Sequence, residues 1–141
     1  MKRLLVLTDG KAGHENQSKA FARALGGEAV LAGVRFRSKV CKALSYLFDR
    51  LALPCPFLFT VDRAVTAADG YAAVIGTGSG TFYAAKTLAR RLGVACGVVL
   101  YPRGYRLSSF DCILAPAFDR PAPAPNLIEI PANLVAADAA F

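Results

Sequence analysis

Residues 8–17 read TDGKAGHENQ and follow directly on the apolar run RLLVL. This short stretch gathers Asp9, Gly10, Lys11, Gly13, His14, Glu15, Asn16 and Gln17, and it contains the chain's only histidine. An imidazole ordinarily exchanges a proton near neutral pH, so His14 is a candidate general base toward a hydroxyl nucleophile. Asp9 and Glu15 are the nearby carboxylates that can orient it, and Asp9 is the second catalytic candidate. Gly10 and Gly13 permit a sharp turn or a close approach to a ligand, while Lys11, Asn16 and Gln17 can reach a polar substrate. The stretch is not a Walker A loop, because Gly10 and Lys11 precede the turn and Ala12 follows. A polar turn in which Asn16 or Ser18 caps the next helix explains the same residues without any ligand.

A second candidate is GTGSGT at 76–81. Gly76, Thr77, Gly78 and Ser79 form an amide-rich turn suited to a phosphate or a sugar hydroxyl, with Ser79 or Thr81 able to cap the following helix. It departs from a dinucleotide fingerprint in three ways. Its third glycine falls one position early, it belongs to the third strand unit, and the next strand ends in VLYPRG, with Arg103 where an acidic residue would stand. Arg103 is instead a candidate contact for an anionic ligand. Close helix-to-sheet packing alone also accounts for the glycines. No cofactor is expected. Cys41, Cys55, Cys96 and Cys112 stand singly beside one histidine, which gives no metal set and points to reduced, mostly buried thiols.

The elements that must position these residues follow from periodicity. Apolar runs at 3–8, 28–34, 71–75, 95–100, 112–115 and 127–130 read as strands, and helical spacing covers 16–25, 38–53 and 82–92. The alternation predicts an α/β fold, a Rossmann-like three-layer sandwich with a mostly parallel sheet and helices on both faces. In such sheets ligands sit beyond the carboxyl ends of the strands, where both candidate turns fall. With 141 residues, the chain is expected to form a single domain over 1–141. Its last residues, LVAADAAF, begin like a helix and stop without a terminating signal, which reads as a cut ahead of a missing carboxyl-terminal domain.

A formal charge of +7 favours anionic partners. Residues 38–53 combine Val40, Leu44, Leu47, Phe48 and Leu51 at helical spacing with Lys39, Lys42 and Arg50, and Arg35 and Arg37 precede them. That pattern suits either a core-facing stripe or a peripheral contact with anionic lipid. Nucleic acid is not an expected partner, since no recognisable module interleaves the basic residues with aromatics. No apolar run is long enough to cross a bilayer and no signal peptide opens the chain, so a cytoplasmic location is expected, with the inner membrane face as a peripheral one.

The segment LLVLTDGKAGHENQSKAFARAL resembles the opening of the bacterial and plant family named for mitochondrial fission, the elongated-mitochondria family, whose bacterial members are catalogued as predicted nucleoside-diphosphate-sugar epimerases. YAAVIGTGSGTFYAAKTLARRLGVACGVVLYPR is similar both to that family and, more loosely, to the amino-terminal domain of the glycosyltransferase that adds N-acetylglucosamine to a lipid-linked peptidoglycan precursor. The resemblance implies the amino-terminal half of a glycosyltransferase-B architecture, in which this half holds the acceptor and the carboxyl-terminal half holds the nucleotide sugar. Residue by residue it carries over Gly13 and His14 of the first turn and Gly76, Thr77 and Gly78 of the second. The functional expectation is an acceptor-side domain of a glycosyltransferase-like or nucleotide-sugar-handling, epimerase-like protein that is inactive by itself. The alternative is a non-catalytic membrane- or protein-docking module.

Overall fold

A computed structural model of the protein describes residues 2–130. The helix-like start expected in LVAADAAF lies outside them. Seven strands form one sheet in the order β3-β2-β1-β4-β5-β6-β7. These are β1 (Lys2–Thr8), β2 (Gly27–Phe36), β3 (Phe59–Val61), β4 (Ala73–Thr77), β5 (Ala95–Val99), β6 (Cys112–Pro116) and β7 (Leu127–Ile130). Every neighbouring pair is parallel except β2 and β3. Helix α1 (Ala12–Ala24) follows β1, α2 (Lys39–Arg50) follows β2, and α3 (Phe82–Leu92) joins β4 to β5. The α/β class, the Rossmann-like sandwich and the mostly parallel sheet expected from the sequence are all present.

Strand alternation builds the three layers. In β1, Leu4 and Val6 face Phe21 and Ala22 of α1, whereas Leu5 and Leu7 face the opposite core with Phe82, Tyr83 and Leu88 of α3. Leu44 and Phe48 of α2 pack on that second core. Close approach of α1 depends on Gly97, because a Cβ there would stand 2.9 Å from the Phe21 ring. Among the described residues no helix is long and apolar enough to cross a membrane.

Three local expectations need correction. The short strand β3, antiparallel at the edge, was invisible to periodicity because three residues carry no pattern. Helix α1 starts at Ala12 rather than at 16, so His14 to Gln17 belong to its first turns, and neither Asn16 nor Ser18 caps it. The stripe of α2 is only half core: Ser45 and Asp49 are buried, while Val40, Leu47 and Leu51 are more than half exposed. A polar side of α2 can face inward because its partners wait there, as described below.

Of the four free thiols only Cys96 is fully buried; Cys41, Cys55 and Cys112 are half-buried. Burial, with the Asp111 carboxylate nearby, pushes the Cys96 thiol up from 9.0 to about 12. A group raised on folding contributes stability that is complete below its unfolded value and vanishes as pH climbs through its folded one. The stability difference between the native chain and Cys96→Ala should therefore shrink by about 1.4 kcal/mol per pH unit above pH 9. Urea titrations of both proteins at pH 8 to 10.5 read this difference directly, and other titrating groups cancel from it. A constant gap would contradict the buried thiol.

Candidate functional site

The chain goes from β1 to β2 on one side and from β4 to β5 on the other, so the sheet order reverses between β1 and β4. That junction is the topological switch point, where the loops of an open parallel sheet diverge and leave a crevice. Leu7 pairs with Gly76, which brings the ends of these two strands level. The turns at 9–14 and 77–81 thus leave the same edge side by side.

They touch. Gly78, with φ of +89°, lies against the His14 imidazole so closely that no Cβ would fit, and a Cβ on Gly80 would come within 3.2 Å of the Asp9 side chain. Only glycine combines that backbone with that clearance. Asp9 Oδ2 stands 2.8 Å from His14 Nδ1, and its Oδ1 accepts from the Lys11 amide at 3.1 Å. In the tautomer with its proton on Nδ1 the ring donates to the Asp9 carboxylate, and Nε2 then offers a lone pair. His14 is 24% exposed and Asp9 11%, so the pair is sheltered but reachable. Glu15, the other carboxylate considered, instead pairs with Lys19 one helical turn on.

An open cleft of about 520 Å³, within the range of small-molecule sites, has His14 in its wall. His14, Gly78, Ser79 and Arg103 line it, joined by Tyr46, Phe82, Tyr101 and Asp119. Lys42 of α2 donates to Ser79 Oγ at 2.9 Å, bringing a cation to the second turn. Arg103 donates to the Asp119 carbonyl at 2.6 Å and lies over the Tyr101 ring, so its guanidinium is held in place at the rim. Leu100, also in the wall, has φ of +80°, a strained conformation for leucine at the end of β5. Helices α1 and α3 both begin at this edge without a side-chain cap. Thr81 donates instead to the Gly78 carbonyl, which tightens the turn.

The other proposed contacts sit elsewhere. Gly76 and Thr77 are buried, and the Thr77 hydroxyl shares a 2.5 Å hydrogen bond with Ser18, which ties α1 to the sheet. Gln17 turns inward, with its side-chain oxygen buried and unpaired. Gly10, Lys11, Gly13 and Asn16 are exposed and outside the cleft walls. Sequence reasoning missed Tyr46, Tyr101 and Asp119. The signal available for the last two was position alone, since they follow the carboxyl ends of β5 and β6; Tyr46 arrives from α2, with nothing local to mark it.

A second polar cluster occupies the far end of α2 and α3. Lys86 is in contact with Asp49, which also accepts from the Arg106 amide at 2.6 Å. These side chains are 10% and 1% exposed. Burial, reinforced by the Arg106 guanidinium, lowers the Lys86 ammonium to about 8. Ser45 shares a 2.6 Å hydrogen bond with Tyr105, whose hydroxyl burial pushes well above its ordinary range. Among the described residues no cluster of side chains is suited to hold a metal.

No curated protein and no solved structure matches the chain closely enough to stand as a relative. The family described as Mitochondrial fission ELM1, however, matches residues 12–140. That span takes in α1 with His14, the Gly78 turn and all seven strands but the first, and on it the chain belongs to the mitochondrial fission ELM1 family.

Proposed function

We propose that this domain is the acceptor-side half of a glycosyltransferase-like or nucleotide-sugar-handling, epimerase-like protein, and that its cleft receives a hydroxyl-bearing ligand. The observation that carries this reading is the Asp9–His14 pair at the switch point, facing the turn of Gly78 and Ser79. In a transfer reaction, Nε2 of His14 takes the proton from an acceptor hydroxyl as that oxygen bonds to the anomeric carbon of the donor sugar. The nucleoside diphosphate departs with the electrons of the broken bond. Asp9 holds the ring and steadies the imidazolium that forms. Lys42 and Arg103 offer positive charge to phosphate or sugar oxygens. The donor's pyrophosphate would be held mainly by a carboxyl-terminal half.

The test incubates the full-length protein with a panel of nucleoside-diphosphate sugars, with and without glycosyl acceptors, and follows products by mass spectrometry. Transfer releases nucleoside diphosphate; epimerisation returns an isomeric sugar with its nucleotide intact. Neither product across the panel would overturn the catalytic reading.

One observation favours a second reading, a docking module. Val40, Leu47, Leu51, Leu53 and Phe57 are each more than half exposed, and Arg37, Lys39 and Arg50 are exposed along the same stretch. Exposed apolar side chains beside cations suit the interface of an anionic bilayer. Sedimentation with vesicles of phosphatidylglycerol and phosphatidylcholine should pull the protein down, and Leu47→Glu with Leu51→Glu should release it. Equal recovery in the supernatant with and without vesicles would end this reading.

A further inference from the structure

We propose that the cavity between the carboxyl-terminal ends of α2 and α3 binds a small organic monoanion with a short aliphatic body. The cavity and the cleft share no lining residue: α3 gives Phe82 to the cleft and Tyr83, Lys86, Thr87, Ala89 and Arg90 to the cavity. Its volume is about 210 Å³, room for roughly seven waters at about 30 Å³ each.

Three features define the occupant. The first is the hydroxyl part of the wall. The Tyr83 hydroxyl already donates to the Leu53 carbonyl and accepts from the Cys55 amide, and the Thr87 oxygen beside it is buried away from the opening, so neither calls for a polar group on the body of the ligand.

The second is charge. Lys86, Arg90 and Arg106 bring three positive charges to the lining, and Asp49 and Asp111 bring two negative ones. The carboxylates are already engaged, Asp49 by Lys86 and the Arg106 amide, Asp111 by the Cys96 amide at 2.7 Å. The guanidiniums are held less firmly: Arg90 reaches the Ala52 carbonyl at 3.4 Å, and Arg106 Nε stays 4.0 Å from Asp49. One unit of positive charge remains, on groups free to reorient toward a carboxylate. A dianion would meet the two aspartates, and a cation would meet the arginines.

The third is the apolar part of the wall. Leu53, Pro54, Ala89 and Val94 offer hydrocarbon surface, so the remainder of the ligand is aliphatic rather than sugar-like.

Hexanoate is the probe, titrated into the full chain by calorimetry. It should saturate at one site with a dissociation constant of about 1 mM, the level a compound of this size reaches at moderate efficiency per atom. Hexan-1-ol and hexylamine should bind at least about tenfold more weakly, since they lack the charge the arginines recognise. Arg90→Gln with Arg106→Gln should weaken hexanoate about tenfold or more by removing both charge-assisted contacts. His14→Ala should leave it unchanged. The proposal is overturned by absence of saturation up to about 20 mM, well beyond the expected constant. It is equally overturned by equal affinity for the alcohol or the amine, by arginine variants that bind as the native chain does, or by loss of binding in His14→Ala.

Discussion

Replacing His14 with alanine should lower kcat/KM for a nucleoside-diphosphate sugar by about 10²- to 10⁴-fold, the usual contribution of a positioned general base. The imidazole is 24% exposed and sits on the first turn of α1, so its removal leaves the core untouched and the melting temperature close to native. Asp9→Asn should cost nearly as much. An asparagine amide in that place can donate to Nδ1, which moves the ring proton to Nε2 and removes the lone pair that accepts from the substrate. The two changes should be far from additive, since they disable one unit. Turnover that survives His14→Ala at the native rate would remove the histidine from the chemistry and leave the cleft as a binding site only.

The largest stability effect belongs to the other end of α2. Asp49→Leu should cost about 3–5 kcal/mol, because it strands the buried Lys86 ammonium and the Arg106 amide without their acceptor. Pairing it with Lys86→Met should restore most of that loss, since a well-packed apolar pair often replaces a buried ion pair at little cost. Urea denaturation measures both. If the single variant loses under about 1 kcal/mol, the pair is not the buried unit described.

The same residues explain how far the sequence could be read. Helix 38–53 was legible as a helix, while its apolar stripe was left open between core and lipid; Leu44 and Phe48 pack on the core. Which way its remaining side chains point was not legible. Asp49 is drawn inward by Lys86 and by the Arg106 amide, 37 and 57 residues away, and Ser45 by Tyr105, 60 residues away. Periodicity weighs only a residue's own polarity, so it could not separate the exposed Val40, Leu47 and Leu51 from the packed Leu44 and Phe48. The mostly parallel sheet was legible, from the alternation of runs and helical spacing, and it put both turns at one edge. The contact of Asp9 with His14 was not. Six residues running from a strand end through a turn into a helix start have no fixed geometry, and the glycines that made 9–17 look like a loop hid a helix already under way at Ala12.

Everything functional rests on the two turns acting as one site at the β1–β4 junction. The direct measurement is an amide chemical-shift titration of the full-length protein with the nucleoside-diphosphate sugars and acceptors of the panel. Residues 9–14 and 77–82 should shift together along one binding curve, while residues 86–96 at the far end stay still. Shifts confined to one turn, or appearing only away from both, would contradict the shared site.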